Sequence, residues 1–575
     1  MKRAVLIVVA LLVITTRVLP ISDPDYHWHL ATGRWVMAHH AVPAVDPFSH
    51  TAFGMPWKFV DWLADVFMYL LHRGGGDAAV QIAFALIGAL AVLLASERAS
   101  RLVERASVPS LLAGALALAT VVAFRTTPRP QTASFALLAG LLLLVDAAKT
   151  SPRRLYFVPP LIALWQNVHS SALLGVLVVL AEAIEAARQK RDVRAWIATS
   201  VGSALALLCA VRPIDRLVAG FDHLGDPRVA ELVPEWGTPF RAGVFGPWVV
   251  AAGALLVFAV VGTRRSTFGP VASALGLSIL GFASARMLPF AAIALLPLAL
   301  EGLEVVAERV RHVAIPLALL AAVGFFLRVE RPRTGLKEGV FPERAVAFLN
   351  EHHLEGNLFN EYTFGGYLMW TLGERSKVFV DGRSMALYGI DFVRQAALAT
   401  DHQLVALLDR YEPPIIVVPP DRRMGFLQRK MGWALLYFDD VAAVIVRETG
   451  QPQPFAYRAL TPGSWFEVGR LRDPVRLAAA QTELSRAQRE APDSSIVLVS
   501  AITVALAAKD FAKADALLAD ADRRFPGTQR VARAHLIRCI EAEDRTCACS
   551  HARHIQQEWP TNTYTAGVVH ALACP

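Results

Sequence analysis

The feature that most constrains this chain is a succession of apolar runs, each about 17–25 residues long, the length a helix needs to cross a bilayer. They lie at residues 4–20, 78–96, 108–124, 131–147, 195–211, 247–262, 268–284, 287–304 and 313–328. A further stretch, 155–187, is too long for one crossing. It divides at Trp165-Gln166-Asn167-Val168-His169-Ser170-Ser171, whose polar groups need water or protein partners at a membrane boundary. The pattern predicts a polytopic α-helical membrane domain over residues 1–328 with about 11 transmembrane helices. Composition agrees, since 18% charged against 54% hydrophobic residues excludes a soluble globular protein. Met1-Lys2-Arg3 and the run behind it also fit a signal peptide, but no small-x-small cleavage site follows and Arg17 can snorkel to the interface. A retained first helix is therefore expected.

The net charge of +8 does not gather on one helix or patch, as nucleic-acid binding would require. Arg98, Arg101 and Arg105, then Lys149, Arg153 and Arg154, then Arg188, Lys190, Arg191 and Arg194, then Arg264 and Arg265, and finally Arg309 and Arg311 fill alternate short loops. Positive charge marks cytoplasmic loops. This places the N-terminus in the cytoplasm, and puts the long first loop 21–77, the loop 212–246 and everything after about 329 outside it.

The part after the last helix has two textures. Residues 329–450 alternate short β-branched runs (Asn357-Leu358-Phe359-Asn360, Val378-Phe379-Val380-Asp381, Ile415-Ile416-Val417-Val418, Ala443-Val444-Ile445-Val446) with helical segments at 343–350 and 404–411, the pattern of a small α/β domain. A linker over 451–472 leads to an Ala-rich helical tail, 473–575, whose spacing of Ala505, Ala508, Phe511, Ala514, Leu518, Ala521 and Pro526 resembles a degenerate tetratricopeptide unit. Cys539, Cys547, Cys549 and Cys574 all fall in this tail, where an oxidising compartment permits disulfides. No structural metal is expected there, because Cys547-Ala548-Cys549 has no zinc spacing.

Chemistry is most concentrated in the first long loop, which carries Asp23, Asp25, His27, His29 and Asp46 directly after a membrane helix. A carboxylate at that boundary can take a proton from an acceptor hydroxyl, or hold a divalent cation against a phosphate. The same residues also read as a solvated loop anchored at headgroup level by its tryptophans. Arg125 and Arg129 follow the third run, and Arg286 lies in Ala285-Arg286-Met287, on the side that the positive-inside pattern leaves poor in cations. A guanidinium there offers a planar fork to a phosphate, or reaches lipid headgroups from a helix end. His169 suits a ligand, a proton carrier or a hydrogen-bonding turn residue. Glu235-Trp236 offers a further carboxylate and a stacking face. Gly365-Gly366 and Asp381-Gly382-Arg383 read as tight turns, with a second reading in which Asp381 or Arg383 touches the membrane domain's ligand. No Ser-His-Asp grouping has supporting context, and an external domain would meet no nucleoside triphosphate, which excludes kinase and dehydrogenase readings.

The run Asp23-Pro24-Asp25 followed by Trp28-His29-Leu30-Ala31-Thr32-Gly33-Arg34 belongs to a larger set of motifs. The others are Asp46-Pro47-Phe48-Ser49, Arg129-Pro130-Gln131, Trp165-x-Asn167-x-His169, Asn360-Glu361 with Gly365-Gly366-Tyr367, and Val380-Asp381-Gly382-Arg383. Together they resemble a family of bacterial multi-pass proteins that is similar to the C-type (GT-C) glycosyltransferases, over residues 1–450. The resemblance implies a GT-C-like membrane domain followed by a soluble domain in the bacterial inner membrane. It also implies a polyprenyl-phosphate-linked sugar as donor and a catalytic or metal-binding aspartate in the first external loop. Carried onto this chain, Asp25 is the base, with Asp23 or Asp46 in support. Asp25 and Asp23 are the candidate ligands for Mg or Mn, because the loop has no Asp-Glu pair. Arg129, Arg286, His169, His29 and Glu235 form the candidate phosphate and substrate site.

The expected activity is transfer of the sugar to an extracytoplasmic acceptor, an envelope glycan, lipid or protein. The alternative is a non-catalytic membrane scaffold that recruits envelope partners through the helical tail, since helical repeats present extended binding surfaces. A transporter would call for inverted repeats and broken helices, which the sequence does not display.

Overall fold

The structure is a computed structural model. It describes residues 2–306 apart from Phe59, 222–225 and 242–243, residues 312, 313, 316 and 324, and residues 331–571 apart from 421, 430–431, 449–452, 463–466 and 561–568, together with Cys574. The chain forms two compact units, Met1–Lys337 with Asp381–Arg394, and Glu338–Val380 with Gln395–Pro575.

The first unit is a helical bundle: α1 (Lys2–Arg17), α2 (Tyr26–His39), α3 (Trp62–Leu102), α4 (Val108–Arg125), α5 (Pro130–Ala148), α6 (Val158–Val168), α7 (Ala172–Arg188), α8 (Val193–Ala206), α9 (Pro213–Phe221), α10 (Pro227–Leu232), α11 (Pro247–Gly262), α12 (Phe268–Ala283) and α13 (Leu288–Val305). Prolines stand in the first turns of α4, α5, α11 and α13, where no helical N–H is lost and φ is already set. Uniformly apolar sequence behind each proline carries the helix onward, and α13 is buried almost all round. Its Phe290 packs edge-to-face on Phe135 of α5 at 5.0 Å between ring centroids.

Among the described residues, five helices are long and apolar enough to cross a membrane: Trp62–Leu102, Val108–Arg125, Pro130–Ala148, Pro247–Arg265 and Ala285–Val305. The protein is thus a multi-pass membrane protein. The stretch 155–187 does divide at His169, into α6 and α7, but α6 has 11 residues and α8 has 14, both short for a crossing. The run 313–328 falls largely outside the described residues. The first long loop is also shorter than its polarity implied, because α3 begins at Trp62 and continues through Gly75 and Gly76, which carry non-helical angles and kink it. Three consecutive glycines made this segment read as loop, whereas the structure uses them as a hinge between an amphipathic segment and the apolar one.

Polar ties gather at both ends of the bundle. At one end, Arg98 meets Asp146 at 2.6 Å and Lys149 meets Glu182 at 3.0 Å, while Arg105 bonds Glu301. At the other end lie the close of α1, the α4–α5 turn, the α6–α7 turn, the segments 209–221 and 226–237, and the α12–α13 turn. They are fastened by Trp62 Nε1 donating to Asn167 Oδ1 at 2.8 Å, Asn167 Nδ2 to the Cys209 carbonyl at 2.6 Å, and Gln131 Nε2 to the Arg286 carbonyl at 3.0 Å.

The second unit contains a four-stranded sheet of β1 (Leu358–Asn360), β2 (Ile415–Val418), β3 (Trp433–Phe438) and β4 (Ala443–Arg447), in the order β1-β2-β4-β3. The β1–β2 pair is parallel and the other pairs are antiparallel. The β-branched runs are buried along their length, which is why they read as strands. The run 378–381 is not a full strand. Asn360 takes the place of a ladder there, accepting from the Phe379 N–H at 2.8 Å and donating to the Val380 carbonyl at 2.8 Å. Five helices over Pro474–Glu490, Ser495–Ala507, Phe511–Arg524, Gln529–Glu541 and Arg545–Glu558 form the tail, with disulfides joining Cys539 to Cys547 and Cys549 to Cys574.

Candidate functional site

Asp23 starts the site by shaping the chain before α2. Its Oδ1 accepts the Asp25 N–H at 3.0 Å and its carbonyl accepts the Tyr26 N–H at 3.2 Å. Asp25 then occupies the N-cap of α2 without capping it, so its carboxylate is not spent on its own helix. The helix is held in place by close packing on α3, since a Cβ added at Gly33 would lie 2.1 Å from the Asp65 carbonyl oxygen. The buried His29, one turn from Asp25, bonds Asp65 through Nδ1 at 2.6 Å.

Arg129, the N-cap residue of α5, gathers the acids. Its Nη2 is 2.5 Å from Asp23 Oδ1 and its Nε also bonds Asp23, giving the planar bidentate geometry that suits an arginine–carboxylate pair. The same guanidinium lies 3.1 Å from Asp25 Oδ2 and 3.3 Å from Glu235 Oε1. Glu235 is further held by Arg125, through Nη2 at 3.0 Å and through Nη1. Arg286 sits 4.2 Å above the Trp236 ring and reaches Gln131 Oε1 at 3.4 Å, an oxygen that Arg125 also approaches at 3.4 Å. Three guanidinium groups and three carboxylates therefore share one end of the bundle. Arg286 alone of the three arginines has no carboxylate at ion-pair distance among the described residues, and its buried Nε has no hydrogen-bond partner.

Burial pushes the Asp25 carboxyl up to about 6, with Arg129 opposing and Asp23 reinforcing the rise. Asp25 still keeps 21% of its side-chain surface exposed, so an incoming group can reach it. Burial also acts to raise Glu235, but Arg125 and Arg129 outweigh it and hold this carboxyl below its ordinary range. Two carboxylates in one cluster thus have divided properties, one proton-accepting near neutrality and one a fixed counter-charge.

His169 lies in the α6–α7 turn, where its Nδ1 accepts the Ser171 N–H at 3.2 Å and lies 2.8 Å from Ser171 Oγ. Burial, with Arg286 and Arg216 nearby, holds it well below its ordinary value. His29 is likewise held neutral by burial, with Arg129 and His169 nearby. Both imidazoles belong to the same region, although neither contacts the carboxylate cluster directly.

Asp46 is placed elsewhere. Fully buried, it accepts the Phe48 and Ser49 N–H groups at 2.9 and 3.1 Å and pairs with Arg383 at 2.5 Å. Arg383 is clamped in turn by Asp381 at 2.7 Å and covers the Trp57 ring at 4.7 Å. This strap, Asp381–Arg394, is packed into the first unit, and its Gly382 is pressed against the site: a Cβ there would lie 1.9 Å from Asp25 Oδ1. Sequence reasoning took Asp381-Gly382-Arg383 mainly as a turn and left Arg125 and Gln131 outside the site. The Asp61–Arg216 pair, at 2.5 Å and buried, was also missed. Each has a long-range partner that no local spacing reveals.

A divalent cation finds few free oxygens in this arrangement. Asp23 gives both of its oxygens to Arg129, and among the described residues no group of three histidine, cysteine or carboxylate ligands surrounds Asp23 and Asp25. Hard cations need about six oxygen ligands. The charge of these acids is met by arginine instead.

No family model matches the sequence, and no curated protein matches it. Among solved structures, the chain is similar to a crystal structure of the Archaeoglobus fulgidus oligosaccharyltransferase in its apo form, with a TM-score of 0.52 and 12% identity, over 83% of this chain and 78% of that one. The likeness is one of fold. It agrees with a multi-pass helical membrane fold.

Proposed function

We propose that the protein is a membrane glycosyltransferase that moves a sugar from a polyprenyl-phosphate donor to an extracytoplasmic acceptor, with the site outside the cytoplasmic face of the bacterial inner membrane. The observation that carries this reading is Arg286, a buried guanidinium with no carboxylate partner among the described residues, in the same cluster as a partly exposed carboxylate poised near neutrality. The fold of an oligosaccharyltransferase is consistent with it.

In the step proposed, Asp25 accepts the proton of the acceptor hydroxyl or amide as that atom attacks the anomeric carbon of the sugar. The bond from the anomeric carbon to the phosphate oxygen breaks, and the electron pair leaves with the lipid phosphate. Arg286, assisted by Arg129, meets the charge that develops on that oxygen. Glu235 and Gln131 fix the guanidinium groups beforehand, so little reorganisation is needed as charge develops. His169 and His29, neutral and hydrogen-bonded, act as polar walls near the cluster.

The test is transfer of radiolabelled sugar from polyprenyl phosphate to envelope acceptors by the full chain in proteoliposomes. Asp25→Asn is expected to abolish transfer while leaving insertion and yield unchanged. Transfer retained by that variant would remove Asp25 from the reaction.

A further inference from the structure

We infer that a second anion site lies beside the carboxylate cluster, where α1 and α4 end and α11 begins, and that it takes the phosphodiester of a membrane lipid headgroup. A cavity of about 300 Å³ opens there, with Arg17, Asp23, Phe124, Thr127, Trp248 and Lys337 in its wall. Among the described residues Arg17 uses only Nε, donating to the Thr126 carbonyl at 3.3 Å, and its terminal nitrogens have no protein acceptor there. The buried Trp248 Nε1 and Thr127 Oγ1 have no hydrogen-bond partner among the described residues either. Lys337 adds positive charge, and the one acid in the wall, Asp23, is already committed to Arg129.

Two buried polar atoms with unmet hydrogen bonds, beside a half-buried arginine fork around one cavity, are unusual, because buried polar groups are nearly always paired. What they share is a demand for acceptor oxygens, and the arginine fork is matched to phosphate. Apart from Ser22 and Thr126, the remaining wall is apolar. Phe124 and Trp248 stack at 3.9 Å and 7°, with Leu19, Pro20 and Ile21 around the same cavity. A phosphate with an apolar chain attached satisfies both surfaces, whereas a free anion leaves the aromatic pair uncovered. The position, at the ends of apolar helices, is the level at which headgroups lie.

The site does not depend on the proposed transfer, so the two can fail separately. Native mass spectrometry of the full chain, with phosphatidylglycerol and with diacylglycerol of the same acyl chains as probes, provides the test. Phosphatidylglycerol is expected to remain bound to the wild type and to Asp25→Asn, and diacylglycerol to be lost. Arg17→Gln should weaken phosphatidylglycerol retention at least tenfold, and Trp248→Phe, which keeps the stacked ring but removes the N–H, should weaken it by a smaller factor. Equal retention of diacylglycerol, or phosphatidylglycerol binding unaltered in both variants, would overturn the assignment. Displacement of phosphatidylglycerol by millimolar inorganic phosphate would overturn the lipid and leave a free-phosphate site.

Discussion

Asp25 is an N-cap residue that does not cap, and this leaves its carboxylate both available and partly desolvated. Its value of about 6, against an ordinary 3.8, has two consequences of known sign. Between those values the folded chain holds the proton more tightly than the unfolded chain, so this group's contribution to stability is present below 3.8 and is lost as pH rises through about 6. Asp25→Asn should therefore be no less stable than the wild type at neutral pH. The ionised form is the proton acceptor, so kcat/KM for transfer should fall about tenfold per unit as pH drops below about 6. A pH–rate profile checks this, and a flat profile down to pH 4 would mean that another group takes the proton. Much at this scale was legible beforehand. Asp23, Asp25, Arg129, Glu235 and Arg286 are singled out by ionisable chemistry next to apolar runs, and they meet in one cluster because each flanks a helix at the same end of the bundle. Asp46 shows what the sequence did not reveal. Its Asp-Pro-Phe-Ser setting describes a turn whose N–H groups it accepts, and its buried partner Arg383 lies hundreds of residues away along the chain.

Among the elements, the strap Asp381–Arg394 lies against the site within the first unit. The Arg383 guanidinium, shared between Asp381 and Asp46 and covered by Trp57, fixes the strap so that Gly382 lies flat against Asp25. Only a residue without Cβ allows that approach. Gly382→Ala should displace the Asp25 carboxylate and slow transfer by about a hundredfold, the scale of effect that a misplacement of about 1 Å produces, while thermal unfolding changes little. Parallel measurement of transfer and unfolding checks this, and unchanged transfer would show that the strap does not position Asp25. Helices were easier to read than this strap. The apolar runs mark α4, α5, α11, α12 and α13 to within a few residues because length and hydropathy alone define them. The helix before Gly75 and the strap were hidden because their apolar residues face neighbours distant in sequence. The run 378–381 looked like a strand from its β-branched residues, yet Asn360 bonds it through a side chain.

On the scale of the whole molecule, the bundle has polar clusters at both ends, and their chemistry differs. At one end, Arg98 is matched with Asp146 and Lys149 with Glu182 across packed helices, which suits a tie. At the Arg129 end, one guanidinium is left without an acid and one carboxylate is left accessible, which suits a site. The succession of runs and the alternation of basic loops foresaw that the candidate residues would share an end, because an up-and-down bundle returns every second connection to the same side. They could not foresee which carboxylates would be neutralised, since that depends on side-chain approach across the bundle. The most direct measurement is photocross-linking of a sugar-bearing polyprenyl-phosphate analogue to the full chain in liposomes, followed by peptide mapping. Labels are predicted in the Glu235–Trp236 and Arg286 turns and near Asp25, reduced at least tenfold in Arg286→Gln. Labelling confined to the Arg98–Glu182 end, or unaffected by Arg286→Gln, would contradict the assignment of the site.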